Sequence, residues 1–311
     1  MGEKRTPVVD ALGGLLIVDK DGGWTSHDVV AKARRLLRTK KVGHAGTLDP
    51  MATGVLVLGV ERATKMLGLL TLTTKAYTAT IRLGQSTVTD DAEGEVTATT
   101  AAGHLTDAEI ASGVAALTGD IQQVPATVSA IKVNGERAYA RARAGEDVQL
   151  AARPVTVSRF DVLARREVDG EDGRFVDLDV EVECSSGTYV RALARDLGAR
   201  LGVGGHLTAL RRTRVGPFTL EHARTLAELT AAAEAEEPLL SLDVDAAART
   251  AFAVREIDER QAEDLRNGRW LEPVGLSGVY AAIDPSGRAI ALLQESGKRA
   301  SSVMVVRPAN L

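Results

Sequence analysis

The stretch FVDLDVEVEC (Phe175 to Cys184) alternates apolar and acidic residues without a break. Successive side chains of a β-strand point to opposite faces, so this pattern predicts a strand with one buried face and one charged face. The charged face carries Asp177, Asp179, Glu181 and Glu183. The helix TYVRALARDLGARLG is predicted directly after the intervening SSG, with Tyr189 and Arg191 in its first turn. Tyr189 and Arg191 are therefore expected at the edge of a sheet.

Further strands and helices are predicted on both sides of this unit. Apolar or alternating runs predict strands at GGLLIVDK, GVLVLGV and KAYTATIRLG. The stretch SHDVVAKARRLLR has apolar residues at helical spacing, with Ser26 as the expected N-cap. LTDAEIASGVAALTG is predicted as a helix capped by Thr106 and Glu109. We therefore expect an α+β domain over residues 1–230, built on a mixed and mostly antiparallel sheet.

The composition changes near Ala231 and again near Ala251. AAAEAEEPLL begins an acidic stretch, so residues 231–250 are predicted to be a connector. A short helix, DERQAEDLR, is followed by Asn267-Gly268 and then by the strands VYAAID, AIALLQE and SVMVV. This pattern predicts a small β-barrel module over residues 251–311.

The charge distribution indicates a surface that binds a polyanion. The whole chain carries a net charge of -4, and residues 221–264 alone carry -8, so the remainder carries +4. The positive charge is clustered in KARRLLRTKK, ERAYARAR and LRRTR. One such cluster is typical of a solvated helix face, but three in an acidic protein favour a nucleic-acid partner.

Several classes of function are not supported by the motifs. Cys184 is the only cysteine, so neither an internal disulfide nor a thiolate metal cluster is expected, in agreement with a reducing cytoplasm. We find no apolar run long enough for a membrane span and no secretory signal. Nucleotide-binding fingerprints are absent. The acidic turn at Asp90, Asp91 and Glu93 is interpreted as solvated rather than as a magnesium site.

A single acid, Asp49, lies in the stretch TKKVGHAGTLDPMATGVLVLGV, between a basic run and an apolar run. Because Pro50 disfavours helical geometry at the residue before it, the carboxylate is expected on an extended loop that enters a buried strand. An Asp-Pro pair is usually a turn or cap. A carboxylate on a polyanion-binding surface repels the partner, however, so a chemical role is favoured. Nucleophilic or base work on an electrophilic carbon fits one acid without a metal.

These residues resemble a known family. GHAGTLDPMATGVLVLGVERATK is similar to the catalytic motif of the tRNA pseudouridine-55 synthases, the TruB family. Four further stretches match in order, and together they cover residues 13–220: GLLIVDKDGGWTSHDVV, KAYTATIRLGQSTVTDDAEGEV, SAIKVNGERAYARARAGE and CSSGTYVRALARDLGARLGVGGHLTALRRTRVGPF. Asp21 stands where the family usually has proline. The tail resembles the family's RNA-binding PUA domain more weakly.

The resemblance implies a pseudouridine synthase fold and the isomerisation of uridine 55 in the T loop of tRNA to pseudouridine. Such a reaction gains and loses no atoms, so no cofactor is implied. Asp49 matches the catalytic aspartate. It could attack the base, attack the sugar or remove a proton, and these roles stay open. A cytoplasmic monomer that holds the T stem-loop, with the acceptor stem as a possible second contact, is expected.

The resemblance also implies a set of substrate-binding residues. Tyr77 matches the aromatic residue that stacks on the flipped uracil, and His44 matches a residue that contacts the rearranged loop. Tyr189 and Leu210 match residues that line the pocket. Each apolar or aromatic residue of this set would be an ordinary core residue without the motif context.

Two charged residues complete the implied site. Arg191 matches the arginine that pairs with the catalytic aspartate, and a guanidinium beside Asp49 would favour its ionised form. Lys20 is expected to support the first motif or to contact a phosphate. Two rival functions stay open: a non-enzymatic RNA-binding protein or chaperone, and a glycosylase that excises a base with one aspartate.

Overall fold

The computed structural model describes residues 8–126, 132–133, 136–137, 151–170 and 173–311. Most of the motif SAIKVNGERAYARARAGE and its basic cluster lies outside the described residues. In the part of the chain that is described, no helix is both long and apolar enough to cross a membrane.

Strands and helices alternate along the chain. The strands are β1 (Gly14–Lys20), β2 (Val42–Ala45), β3 (Thr53–Val60), β4 (Lys75–Leu83), β5 (Gln85–Thr87), β6 (Val96–Thr99), β7 (Gly119–Gln123), β8 (Lys132–Val133), β9 (Glu136–Arg137), β10 (Arg153–Gly170), β11 (Gly173–Cys184), β12 (Gly205–Val215), β13 (Phe218–Thr219), β14 (Arg224–Thr225), β15 (Leu242–Asp243), β16 (Ala253–Glu256), β17 (Val279–Ile283), β18 (Ala289–Ser296) and β19 (Arg299–Val305). The α-helices are α1 (Ser26–Leu36), α2 (Leu67–Thr71), α3 (Asp107–Ala115), α4 (Val190–Arg200), α5 (Leu226–Glu234), α6 (Val244–Ala251) and α7 (Glu259–Arg266). Two 3-10 helices span Glu61–Met66 and Leu220–His222.

The chain divides into two compact units. The first comprises Met1–Pro50, Gly54–Thr71 and Val215–Leu311, and the second comprises Met51–Thr53 and Leu72–Arg214. The residues of the implied site are divided between the two units.

The sheet of the first unit is mixed. Strand β1 pairs antiparallel with β3 along its whole length, from Gly14 opposite Val60 to Lys20 opposite Gly54. On its other side β1 pairs parallel with β14 and antiparallel with β15. Strand β2 pairs antiparallel with β3. The apolar runs GLLIVDK and TGVLVLGV are therefore confirmed as buried strands.

The C-terminal residues form a second sheet of the first unit, in the order β16-β17-β18-β19. The pair β16–β17 is parallel and the other two pairs are antiparallel. The strands and the helix α7 confirm the predicted elements of the tail. In the described structure β16 and β19 are the two ends of this sheet, which is not closed as the predicted barrel.

The two sheets of the first unit share one apolar core. Leu15 and Val57 of the N-terminal sheet, Ala247 of α6, and Ile283 and Leu292 of the tail belong to the same buried cluster. The guanidinium of Arg62 also donates to the Val305 carbonyl. The division at Ala251 stays a prediction, and the core continues across that position.

Residues 231–250 were predicted to be an acidic connector. The structure places the end of α5 and nearly all of α6 in this stretch. Ala232, Leu239, Val244 and Ala248 are buried. The acids of this stretch are exposed except Asp245 of α6, which is half-buried and pairs with Arg307 at 2.6 Å.

The sheet of the second unit has the order β12-β4-β11-β10-β7. Strand β11 lies between β4 and β10 and is antiparallel to both. As predicted, the apolar face of β11 is buried: Val176, Leu178, Val180, Val182 and Cys184 are each at most 1% exposed. The helix α3 begins at the predicted capping box of Thr106 and Glu109. Two implied site residues lie on strands of this sheet, Tyr77 on β4 and Leu210 on β12.

Candidate active site

Asp49 lies on a half-buried loop between β2 and β3. The chain leaves β2 through Gly46, whose φ of 86° is a conformation that L side chains rarely adopt. Leu48 is then held by Ser26: its N–H donates to Ser26 Oγ at 2.8 Å, and Ser26 Oγ donates to its carbonyl at 3.0 Å. The residue before Asp49 is therefore fixed by the first residue of α1.

This contact explains an error in the predicted helix start. Ser26 was expected to be the N-cap of α1, but Thr25 takes that position and forms a capping box with Asp28. The side chain of Ser26 binds Leu48 and is buried. The sequence TS offers two adjacent hydroxyls, and only the tertiary contact decides between them.

Lys20 fixes the residue after Asp49. Its ammonium is fully buried and donates to three carbonyls, those of Asp21 at 2.9 Å, Trp24 at 2.7 Å and Pro50 at 3.1 Å. The N–H of Gly23 also donates to the Pro50 carbonyl, at 2.8 Å. Because a buried ammonium must be paired with acceptors, these contacts favour the supporting role over a phosphate contact.

His44 is placed on β2, opposite Leu58 of β3. Its ring meets the ring of His27 edge-on, with centroids 5.6 Å apart. His44, Asp49 and Lys20 all belong to the first unit.

Arg191 lies in the first turn of α4 and is 4% exposed. Its Nη1 donates to the Thr89 carbonyl at 2.7 Å and lies 3.4 Å from a carboxylate oxygen of Asp91. Asp91 also accepts from the hydroxyl of Thr89 and from the N–H of Glu93. A buried acid and a backbone carbonyl thus fix one side of the guanidinium.

The acidic turn was predicted to be solvated; that prediction is wrong for Asp90 and Asp91, whereas Glu93 is exposed. Asp90 and Asp91 are both buried, at 9% and 3% exposed. Asp90 pairs with Arg195, one turn after Arg191, at 3.3 Å. Burial raises the pKa of Asp90, while the charges of Arg195 and Arg191 oppose that shift.

The remaining implied residues also lie in the second unit. Tyr77 is buried on β4, opposite Val182 of β11. Leu210 is buried on β12. Tyr189 is the N-cap of α4 rather than a residue of its first turn. The structure therefore brings Tyr189 and Arg191 together at one helix start in the second unit, and the Asp49 loop belongs to the first unit.

Sequence analysis did not identify four residues that hold this framework. Ser26 was predicted to be a cap and Asp91 a solvated acid, and no prediction was made for Thr89 or for Gln123, whose side chain binds the Tyr189 backbone. Asp91 carried a weak signal as part of an acidic pair. Its partner Arg191 follows it by a hundred residues, and no local pattern connects positions so far apart.

Family models match the chain from residue 34 to residue 307. Residues 34–190 match the model described as TruB family pseudouridylate synthase (N terminal domain). Residues 191–244 match the tRNA pseudouridylate synthase B C-terminal domain. Residues 252–307 match the model called tRNA Pseudouridine synthase II, C terminal.

Curated relatives match over the whole length. The tRNA pseudouridine synthase B of Nocardia farcinica is 75% identical over 313 residues, covering 100% of this chain and 99% of the relative. The protein of that name from Rhodococcus jostii is 71% identical over 313 residues, covering 100% of both chains.

Solved structures show the same fold at low identity. A chain of "Crystal Structure of a Cbf5-Nop10-Gar1 Complex" has a TM-score of 0.72 and 24% identity, covering 98% of this chain and 88% of that chain. A chain of "Structure of H/ACA RNP bound to a substrate RNA containing 2'-deoxyuridine" has a TM-score of 0.71 and 24% identity, covering 96% and 86%.

The α+β fold with its mixed sheet, together with the family models, defines a pseudouridine synthase, which is an isomerase. The identities of 75% and 71% over the full chain narrow the class to one family. The chain belongs to the TruB family of pseudouridine synthases.

Proposed function

We propose that this enzyme converts uridine 55 in the T loop of tRNA to pseudouridine, with Asp49 as the catalytic carboxylate. In this reaction the bond between C1′ of the ribose and N1 of the uracil breaks, and a bond from C1′ to C5 forms. C5 loses a proton and N1 gains one, so atoms and electrons balance without a co-reactant. The names and full-length identity of the curated relatives support the tRNA substrate.

One observation carries the assignment of Asp49. Both neighbours of this residue are tied down by buried side chains: Leu48 by Ser26, and Pro50 by Lys20. A carboxylate on such a fixed loop loses little freedom when substrate binds, which is what catalysis by orientation requires. An ordinary surface turn does not need a fully buried ammonium to hold it.

Arg191 is proposed to orient Asp49 and to keep it ionised. Its Nη1 donates to the Thr89 carbonyl and pairs with the Asp91 carboxylate. The guanidinium has further N–H groups in a planar fork. A neighbouring positive charge lowers a carboxyl pKa, so Asp49 would be a carboxylate at neutral pH. Attack on the base, attack on the sugar and proton removal all require that form.

Uridine 55 must leave its stack to reach the carboxylate, at a cost of a few kcal/mol. Tyr77 is proposed to stack on the extruded uracil, because an aromatic face recovers part of that cost. Tyr189 and Leu210 are proposed to line the pocket, and His44 to contact the rearranged T loop.

Residues 1–230 are proposed to form the catalytic domain and residues 251–311 an RNA-binding domain that reaches the acceptor stem of the tRNA. The candidate contact is Trp270, which is 47% exposed and lies against Arg299, with the guanidinium carbon 5.1 Å from the ring centroid. Exposed aromatic and guanidinium groups are surfaces on which nucleotides stack.

The test is to map pseudouridine in an unmodified T stem-loop transcript after treatment with the purified enzyme. Carbodiimide adducts that stop reverse transcription locate pseudouridine, and the RNA mass stays unchanged because the reaction is an isomerisation. A stop at position 55, absent from a transcript with cytidine there, is the expected result.

The same assay separates the two rival functions. A glycosylase would release uracil and leave an abasic site, so the RNA would lose mass. An RNA-binding protein or chaperone would bind the stem-loop and leave uridine 55 intact. Either result would overturn the proposed function.

A further inference from the structure

The helix α4, which carries Arg191, begins differently from the other capped helices. Five described helices begin after Thr25, Thr106, Thr225, Asp243 and Asp258, each of which accepts a backbone N–H with its side chain. The N-cap of α4 is Tyr189, whose side chain makes no capping hydrogen bond. Tyrosine is not among the residues preferred at this position, so another group must fix the backbone there.

Gln123, the last residue of β7, is that group. Its Oε1 accepts from the Tyr189 N–H at 2.8 Å, and its Nε2 donates to the Tyr189 carbonyl at 3.1 Å. The side chain of Gln123 is 2% exposed. One buried amide therefore binds both backbone groups of Tyr189, whose carbonyl also accepts from the Leu193 N–H at 3.2 Å.

The next residue strengthens the same connection. The Val124 carbonyl accepts from Nη2 of Arg195 at 2.7 Å. Arg195 lies on α4 and also pairs with Asp90, beside the Asp91 that holds Arg191. Gln123 and Val124 thus attach the end of β7 to the start of α4 at two points.

We propose that Gln123 is a positioning residue for the isomerisation: its amide fixes the backbone of Tyr189 and, through it, the start of the helix that presents Arg191. Gln123 does not touch the substrate in this account. The inference rests on the proposed roles of Tyr189 and Arg191 and extends them to a residue with no reactive group.

The amide can be tested because its two hydrogen bonds need one donor and one acceptor in the same side chain. An ionised glutamate has only acceptors, so in Gln123→Glu it would face the Tyr189 carbonyl without a proton. A protonated glutamate has both a donor and an acceptor. Burial raises a carboxyl pKa, so this form is accessible at mildly acidic pH. The substitution should therefore add a pH dependence to that of the original enzyme.

The experiment measures kcat and KM on a T stem-loop for the full-length enzyme and the Gln123→Glu variant from pH 6 to pH 8. Each variant value is divided by the original enzyme's value at the same pH, and circular dichroism gives the folded fraction. The matched control is Gln122→Glu, the same change one residue earlier on β7, where the side chain is exposed. A second variant, Gln123→Met, keeps the length and removes both hydrogen bonds without adding charge.

At pH 8 we expect Gln123→Glu to lose about 10–100-fold in kcat per folded molecule, the order of effect that misplacement by about an ångström produces. KM should change little, and most of the loss should disappear at pH 6. Gln123→Met should show a similar loss at every pH, and Gln122→Glu should match the original enzyme.

A native kcat in folded Gln123→Met would overturn the inference, even if the melting temperature of the variant is lowered. Gln123 would then have only a packing role. A pH-independent loss in folded Gln123→Glu would also overturn it. If Gln123→Glu does not fold at pH 8, Gln123→Met alone decides. Failure of the original enzyme to form pseudouridine would instead be a failure of the proposed function.

Discussion

The carboxylate of Asp49 is flanked by two carbonyls that accept from buried side chains, that of Leu48 from a hydroxyl and that of Pro50 from an ammonium. In the second unit, the guanidinium of Arg191 is oriented by the Thr89 carbonyl, to which it donates, and by the carboxylate of Asp91. At the scale of single residues the site is thus prepared by neighbours that have no role in the chemistry. Arg191 is the residue whose exact shape matters most to this account.

Arg191→Lys should lower kcat by about 10–100-fold although the charge is kept, because small errors in orientation are costly. The side chain of lysine has one nitrogen, which cannot bind Thr89 and Asp91 on one side and Asp49 on the other. Steady-state kinetics on a T stem-loop checks this, with Arg200→Lys at the exposed end of the same helix as the control. If both variants work equally well, the proposed pairing with Asp49 is unimportant.

At the scale of elements, several strands and one capping box could be predicted from the sequence. The alternation in FVDLDVEVEC predicted β11 and its buried face, because a period of two leaves one solution for a half-buried strand. The capping box of Thr106 and Glu109 could also be predicted, because its two residues are close together in the sequence. Asp49 was singled out as a lone acid beside a basic run, whereas the role of Arg191 was implied only by the family resemblance.

What could not be predicted depends on contacts between distant residues. Ser26 binds Leu48, 22 residues further on, so its local pattern indicated a cap. Asp90 pairs with Arg195, 105 residues further on, so its burial was missed. Gln123 binds Tyr189 across 66 residues. In each case a polar side chain is satisfied by a group that no local window contains.

Strand β4 contains a cation whose titration should be measurable. Burial and the charge of Arg212 lower the pKa of Lys75 to about 8 from 10.5. Between these two pH values the unfolded chain binds a proton that the folded chain has released, so the folded state becomes more stable as pH rises. Below pH 8 the charged form is held against its burial, and its destabilising effect is greatest.

Lys75→Met should therefore stabilise the protein most below pH 8, and its advantage should shrink as pH rises toward 10.5. Urea unfolding at pH 7, 8.5 and 10 measures the difference from the original protein. Lys65→Met, at an exposed position, is the control and should show no such trend. An advantage that is constant with pH would mean that Lys75 is not desolvated in the folded state.

At the scale of the whole molecule, the C-terminal residues complete the core of the first unit. Buried residues of the tail, such as Ile283 and Leu292, belong to the same cluster as Leu15 and Val57. Removing residues 251–311 would expose this core, so a truncated protein would not separate an RNA contact from a structural role. A substitution on the surface of the tail can make that distinction.

Trp270→Ala should raise KM for whole tRNA severalfold and leave an isolated T stem-loop unaffected, because linking two contacts makes the second effectively intramolecular. The cation–π contact with Arg299 contributes only about 0.5–1 kcal/mol at an exposed site, so folding should survive its loss. Trp24→Ala, at the other tryptophan of the chain, is the control for loss of an indole. Equal losses on both substrates would contradict a second RNA contact through Trp270.

Asp49 is proposed to be the catalytic carboxylate of the isomerisation, and its substitution by asparagine tests that role. Asp49→Asn keeps the shape of the loop between Leu48 and Pro50 and removes the carboxylate. Single-turnover pseudouridine formation at position 55 is measured with excess enzyme on a T stem-loop, beside a binding titration of the same RNA. Asp21→Asn, at an exposed position on the neighbouring loop, is the control. We expect Asp49→Asn to bind the T stem-loop and to form no detectable pseudouridine, and Asp21→Asn to have native activity. More than a trace of turnover by purified Asp49→Asn would contradict the catalytic role of Asp49.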